Sequence, residues 1–261
     1  MQSHTLKLFP SFAFVCAVIV AGIFSPAPLA VAATNTIHVA LVFDDGPFPE
    51  HAPKLLELFA HESIHVTFSL VASNVVAHPE TARAIVAAGH EVANHSFGHQ
   101  HPKPLSDAEL EHEIVAAQKV IAEKSGFTPR WYWPPFVETD DRVRAMAVNA
   151  GIEVYPIKNL VVSQDYDRAV NAAEIKRRAT TNVTDGSVIL FHEWRDETLE
   201  QLPAILAELR RQGCMFETFS ELAAHNRPAV KTEGSSTFLR VDVKQNDEGR
   251  NPNDERNPKH Q

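Results

Sequence analysis

Five short segments, lying in a fixed order between residues 41 and 192, carry the residue types of one hydrolytic centre built around a divalent metal. They are LVFDDGP at 41–47, HSFGH at 95–99, WPPF at 133–136, QDY at 164–166 and LFH at 190–192. Together they offer adjacent carboxylates (Asp44 and Asp45), histidines four residues apart (His95 and His99) and a late histidine, His192. A catalytic metal needs about three protein ligands and an open position; its water needs a base and the departing group an acid. Asp45, His95 and His99 would be the ligands, the other aspartate the proton acceptor and His192 the proton donor. Adjacent aspartates at a buried strand end are costly unless a cation or donors balance them, and a metal removes that cost.

Each segment alone has a plainer reading. DDGP is a common turn after a strand, paired histidines are usually surface residues, and His192 could cap a strand end. With 14 histidines in 261 residues, chance alone gives roughly one pair at this spacing. A second pair, His61 and His65, even spells the H-E-x-x-H of zinc metalloproteases in HESIH. That motif works only on a helix, where both imidazoles share a face. Ile64, Val66 and Thr67 are β-branched and lead into a strand, so the helix is expected to end near Glu62 and the pair to sit in a connection.

The elements that must hold these residues alternate. Strands are predicted at 38–43, 66–71, 152–154, 160–162, 188–191 and 215–218, with helices at 53–60, 79–88, 106–124 and 199–212. Leu55, Leu56, Leu58 and Phe59 face inward on the first helix. Ser106 and Glu109 form a capping box, and Gly89, Gly126 and Gly213 follow helix ends. Such βα alternation implies α/β architecture around a largely parallel sheet, in which chemistry gathers at the carboxyl ends of strands. Asp44 and Asp45, His95 after the 91–93 stretch, and His192 all end such runs, which would bring them to one face.

The two ends set the context. Residues 1–33 combine Lys7, an apolar run from 8 to 24 and small residues near Ala32, as in a cleaved secretory signal. Export would leave Cys214 alone, since Cys16 lies in the signal, so the fold must rest on its core without a disulfide. Signal removal takes the net charge from −9 to about −10. That disfavours nucleic acid or an anionic membrane as partner and suits a neutral or cationic substrate. Residues 34–228 are expected to form one catalytic domain. Residues 229–261 are polar and read as a disordered tail, with 238–243 as a possible edge strand.

The ordered set resembles the polysaccharide deacetylases of carbohydrate esterase family 4 (the NodB-homology domain) over about residues 36–228. FDDGP is the first motif, with Val42 where threonine is common; H-[ST]-x-x-H is complete at 95–99, and L-x-H at 190–192 within GSVILFH. The resemblance implies a distorted (β/α) barrel and hydrolysis of N-acetyl or O-acetyl groups on a glycan. It implies Asp44 as base, Asp45, His95 and His99 as ligands of a divalent metal (zinc, with cobalt or nickel as alternatives), and His192 as acid. The backbone N–H of Phe136, after Pro135, would help hold the oxyanion. Asp165 would orient His192, and Tyr166 stands where the family has tryptophan. Leu190 completes the fifth motif.

Two departures stand out. Trp133 occupies the place of an arginine that pairs with the catalytic aspartate, and Val162 that of the fourth motif's first aspartate. Arg130, Arg142 or Arg144 are candidates to replace the missing cation, and Trp133 and Trp194 to form a sugar-stacking wall. The reading is therefore a secreted or periplasmic metal-dependent hydrolase of carbon–nitrogen amide or carboxylic ester bonds. Its partner is an acetylated glycan, with no nucleic acid and no membrane span once the signal is cut. A glycan-binding protein with a crippled site and a hydrolase of a non-sugar amide are the rivals.

Overall fold

The segment IHVALVF is apolar at every position but one, as a strand covered on both faces must be. In the computed structural model, which describes residues 36–226, it forms β1 (Ile37–Gly46), the central strand. Its carboxyl half pairs with β2 (Thr67–Leu70), residues 39–44 with β7 (Ser187–His192) and residues 37–40 with β8 (Cys214–Glu217). Beyond β2 come β3 (Glu91–Asn94), β4 (Trp131–Tyr132) and β5 (Glu153–Val154), and beyond β7 comes β6 (Asn159–Val162). Every pairing is parallel. Among the described residues β5 and β6 do not pair, so the structure is an incompletely closed barrel, matching the α/β expectation.

Helices cover the outside. They are α1 (Ala52–Glu62), α2 (Ala72–Ala77), α3 (Pro79–Ala87), α4 (Asp107–Glu111), α5 (Ala117–Ser125), α6 (Asp141–Asn149), α7 (Ala172–Ala179), α8 (Asp196–Arg211) and α9 (Phe219–His225). The predicted 106–124 helix starts at the expected capping box. It is interrupted, however, by a π-helical turn at His112–Ala116 between α4 and α5. The predicted 199–212 helix begins three residues early, where Asp196 and Glu197 suit an amino-terminal turn. On α1, Leu55 and Phe59 are buried while Leu56 and Leu58 are only partly so. α1 ends at Glu62 and Ser63 takes a left-handed conformation, so exposed His61 lies in the last helical turn and only His65, also exposed, lies in the connection. The expected signal at 1–33, polar tail at 229–261 and edge strand at 238–243 fall outside the described residues.

Strand alternation sorts side chains into two layers. On β1, Val39, Leu41 and Phe43 pack with Leu55, Phe59, Ile205 and Leu209 beneath the helices. Ala40 and Val42 face the other way, among Ala93, Trp133, Leu190 and Phe219. Asp44 continues the Ala40–Val42 series, His192 continues Val188–Leu190, and His95 follows Ala93. Asp44 and His192 are also direct register partners. Parity along three strands thus delivers the polar groups to one inner face at their carboxyl ends.

Candidate active site

Two neighbouring aspartates on a regular strand would point to opposite faces. Asp45 avoids this with φ 73°, and the β1–β2 register shifts between Phe43 and Gly46. Both carboxylates therefore enter one cavity of about 560 Å³, lined also by His95, His99, His192, Phe136, Tyr166 and Trp194. The turn is tied down around them. Asn74 Nδ2 donates to the Asp45 carbonyl at 2.8 Å, Glu193 N–H donates to the Asp44 carbonyl at 3.1 Å, and Glu193 Oε1 accepts from Phe48 N–H at 2.6 Å. Burial pushes the Glu193 carboxyl up to about 8.

Asp45, His95 and His99 bring three possible ligand atoms within 4.8 Å of one another. Asp45 Oδ1 lies 3.2 Å from His99 Nε2 and 3.6 Å from His95 Nε2. His95 Nδ1 donates to the Trp133 carbonyl at 2.6 Å, which leaves Nε2 free as a ligand. His99 N–H is held by Ser96 Oγ at 2.9 Å. Asp45 Oδ1 and Asp44 Oδ1 are both buried without a hydrogen-bond partner, a state that a bound cation would relieve. Two imidazoles and a carboxylate are a donor set suited to zinc.

Charges in the cluster tune one another. Burial raises Asp44 to about 6 against the opposing pull of His95 and His192. Burial also works against ionised Asp45, but His95 and His192 outweigh it and hold Asp45 below the usual carboxylate range. Burial disfavours cationic His95, yet Asp44 and Asp45 raise it, whereas burial and the neighbouring His95 lower His99.

His192 completes the far wall. Its Nδ1 donates to Asp165 Oδ1 at 2.7 Å and its N–H to Asp165 Oδ2 at 2.9 Å, with Thr198 Oγ1 donating to the same oxygen at 2.7 Å. Burial opposes the imidazolium, but Asp165 raises His192 to about 9. Asp165 is thus where the sequence reading put it. Tyr166 is 51 % exposed and meets the His192 ring edge-on at 5.6 Å. Phe136 has φ 58° and an exposed ring. Its N–H donates to no acceptor among the described residues, while Val137 N–H donates to the Pro134 carbonyl and Glu138 N–H to that of Pro135. Leu190 and Val162 line the cavity.

Two expectations are corrected. Among the described residues no arginine pairs with Asp44, and Arg144 is exposed on α6. Arg130 lies over the Trp131 ring, Arg142 binds the carbonyls of Leu105 and Lys103, and Asp44 receives its hydrogen bond from Trp133 Nε1 at 2.9 Å. Trp133 is therefore no sugar wall: it is 0 % exposed, since it sits on the inner layer against Phe219 and Tyr155. Trp194 does line the cavity, but its Nε1 donates to Asp45 Oδ2 at 2.8 Å. Sequence reasoning missed both indole bonds, Glu193 and Glu113. Only the placement of all three tryptophans in or beside the motifs hinted at the first two.

Comparison with known proteins agrees with this fold. The family model described as polysaccharide deacetylase matches residues 32–155. A peptidoglycan-N-acetylglucosamine deacetylase of Bacillus cereus is 30% identical over 187 residues, covering 70% of this chain and 87% of that protein. The peptidoglycan-N-acetylglucosamine deacetylase PgdA of Listeria monocytogenes is 29% identical over 70% of this chain, which spans only 38% of its length. The solved family 4 carbohydrate esterase of Streptomyces lividans, in complex with acetate, is 32% identical. It superposes with a TM-score of 0.64 over 70% of this chain and 93% of its own.

Proposed function

This chain belongs to the polysaccharide deacetylase family, carbohydrate esterase family 4, and on that premise we propose that it is a metal-dependent hydrolase removing acetyl groups from a glycan. The observation that carries the proposal is the pair of buried, unpartnered oxygens, Asp44 Oδ1 and Asp45 Oδ1, on carboxylates that share one cavity with His95, His99 and the Asp165-bonded His192. Asp45, His95 and His99 would hold the ion, zinc by donor type with cobalt or nickel as substitutes. A divalent metal there supplies Lewis acidity toward water and an acyl carbonyl.

The remaining chemistry falls to the chain's own groups. Asp44 Oδ1 accepts the proton of the attacking water, its rotamer fixed through Oδ2 by Trp133. The free N–H of Phe136 is oriented by the left-handed turn to stabilise charge on the carbonyl oxygen. His192, with Nδ1 engaged by Asp165, offers the proton on Nε2 to the departing nitrogen or oxygen as its bond to the acyl carbon breaks. Acetate and the free amine or hydroxyl are the products. The relatives' substrates and the signal-like amino terminus support an N-acetylated cell-wall or chitin-like glycan outside the cytoplasm. No described helix is long and apolar enough to cross a membrane.

The test is acetate release by zinc-reconstituted protein from N-acetylglucosamine oligomers, peptidoglycan and acetylxylan. We expect release from at least one, reduced about 100-fold or more in Asp44→Asn and in His192→Ala. Silence on every acetylated glycan, from folded protein with metal bound, would overturn the proposal. The binding-only rival loses its motive, because Trp133 gives Asp44 the donor that arginine would have given. The non-sugar amide reading keeps one supporting observation: Val162, Leu160, Val137 and Leu190 make much of the cavity wall apolar. Turnover of small amides but not of oligosaccharides would favour it.

A further inference from the structure

We infer that Trp133 and Trp194 are a matched pair of positioning residues, Trp194 for the metal ligand Asp45 and Trp133 for the base Asp44. The inference rests on the roles proposed above and adds what sets those roles apart. Each aspartate has one oxygen tied to an indole: Asp44 Oδ2 to Trp133 Nε1 at 2.9 Å, Asp45 Oδ2 to Trp194 Nε1 at 2.8 Å. In each the other oxygen, Oδ1, is buried and unpartnered. The indoles thus fix the orientation of each carboxylate: Asp44 Oδ2, bonded to Trp133, also lies 3.6 Å from His95 Nε2, and in both residues the oxygen left without a partner is Oδ1. For Asp45 that oxygen is the one beside both His95 and His99.

An indole suits this task because it is a rigid donor with no acceptor, so it cannot turn a competing lone pair toward the site. Both rings are themselves held. Trp133 is buried against Tyr155 and Phe219, and its own carbonyl accepts from His95 Nδ1. Trp133 therefore touches the base through its side chain and a metal ligand through its backbone. Trp194 lies beside His192, with the Arg168 guanidinium 5.5 Å from its ring centre. The tie to Asp45 runs across 149 positions of sequence and joins the β1 turn to the end of β7. Groups bonded to a metal ligand from outside typically carry about 10–100-fold in affinity, and a base displaced by about 1 Å can lose about 100-fold in rate.

The two duties separate experimentally. Zinc affinity of wild type, Trp133→Phe and Trp194→Phe is measured by competition with a chelator, and kcat and KM for acetate release at saturating zinc. We expect Trp194→Phe to weaken zinc about 10–100-fold. Trp133→Phe should keep zinc affinity within about twofold and lower kcat about 100-fold at unchanged KM. Zinc binding by Trp194→Phe equal to wild type overturns the assignment for Trp194, and an unchanged kcat in Trp133→Phe overturns that for Trp133. Because Trp133 is in the core, a second measurement covers a variant that does not fold. The three indole N–H resonances of nitrogen-15-labelled protein are followed in Asp44→Asn and Asp45→Asn. The first should move the Trp133 signal and the second the Trp194 signal; signals that move in neither, or in the reverse pattern, overturn the pairing. The zinc and resonance readings need no turnover, so absent acetate release in wild type counts against the hydrolase proposal alone.

Discussion

Asp165 binds His192 at two points, ring and backbone, and Thr198 holds the carboxylate in turn. A negative partner at Nδ1 favours the imidazolium, which is why His192 rises to about 9 despite its burial. Asp44 moves upward too, to about 6, because burial disfavours its charge. In the proposed mechanism His192, as acid, must be protonated and Asp44, as base, ionised. Activity should therefore rise with pH as Asp44 ionises and fall as His192 loses its proton. A bound cation favours the carboxylate and repels the imidazolium, so metal moves both limbs toward lower pH. In Asp165→Asn the amide oxygen still accepts from Nδ1 but the charge is gone. The alkaline limb of kcat/KM should then fall by about one pH unit or more while the acid limb stays; an unmoved alkaline limb would show that Asp165 does not set the acid. The family resemblance pointed to Asp165 in the sequence, as the ordered motifs pointed to Asp45, His95 and His99 as candidate ligands. Trp133 was not legible in the same way, because only strand parity shows that position 133 shares a face with Ala40, Val42 and Leu190 and so points at Asp44. A change of residue type read as the loss of a partner proved to be a change of partner.

At the scale of elements, the site is held by segments that break regular geometry. Asp45, Ser96, His99, Phe136, Val137 and Gln164 all have positive φ without being glycine, and each lies in or beside a site loop. Such conformations cost about 1–3 kcal/mol each and persist only where surrounding structure fixes them. For the 95–99 loop that structure is the π-helical turn, a form of helix common at functional sites. Buried Glu113 emerges there to accept from Phe97 N–H at 3.1 Å, Gly98 N–H at 2.8 Å and Gln100 Nε2 at 3.2 Å. Asn94 bonds the Ile114 carbonyl and the Ser96 N–H, tying β3 to the same turn. Glu113→Ala should cost about 1–3 kcal/mol of stability, as buried donors lose their acceptor. It should also weaken zinc about tenfold by freeing His99. Thermal melting and chelator competition check both, and unchanged zinc affinity would mean that the loop holds its shape unaided. Long apolar strands such as β1 and β7 announced themselves by composition. α7 did not, because only Ile175 and Ala179 of its eight residues are buried. The π turn lay hidden inside a continuous helical pattern, its effect being to re-aim one carboxylate.

Over the whole molecule, the core does not depend on the metal. Cys214 is the one cysteine among the described residues and is unpaired. Two aromatic-rich layers surround β1, and the proposed ligands Asp45, His95 and His99 are tied by Trp194, Trp133 and Ser96 through bonds that need no cation. Chelation should leave far-ultraviolet circular dichroism unchanged while lowering the melting temperature. Zinc at about 100 times its dissociation constant adds about 2.7 kcal/mol, or roughly 5–10 °C for a chain of this size. The metal-free site is by contrast a source of instability, and Asp44 measures how large. Its folded pKa of about 6 exceeds the ordinary 3.8. The folded state therefore favours the protonated acid, and a cost develops as pH rises from about 4 through 6, reaching about 3 kcal/mol. Asp44→Asn keeps an acceptor for Trp133 and removes that cost. Without metal, the variant should melt close to wild type at pH 4 and roughly 6–12 °C above it at pH 8. The same substitution removes the proposed base, so the gain in stability and the loss of acetate release should appear together. A metal-free variant melting no higher than wild type at pH 8 would mean that the buried charge is already balanced by His95 and His192, and that this fold gives up nothing to keep two carboxylates side by side.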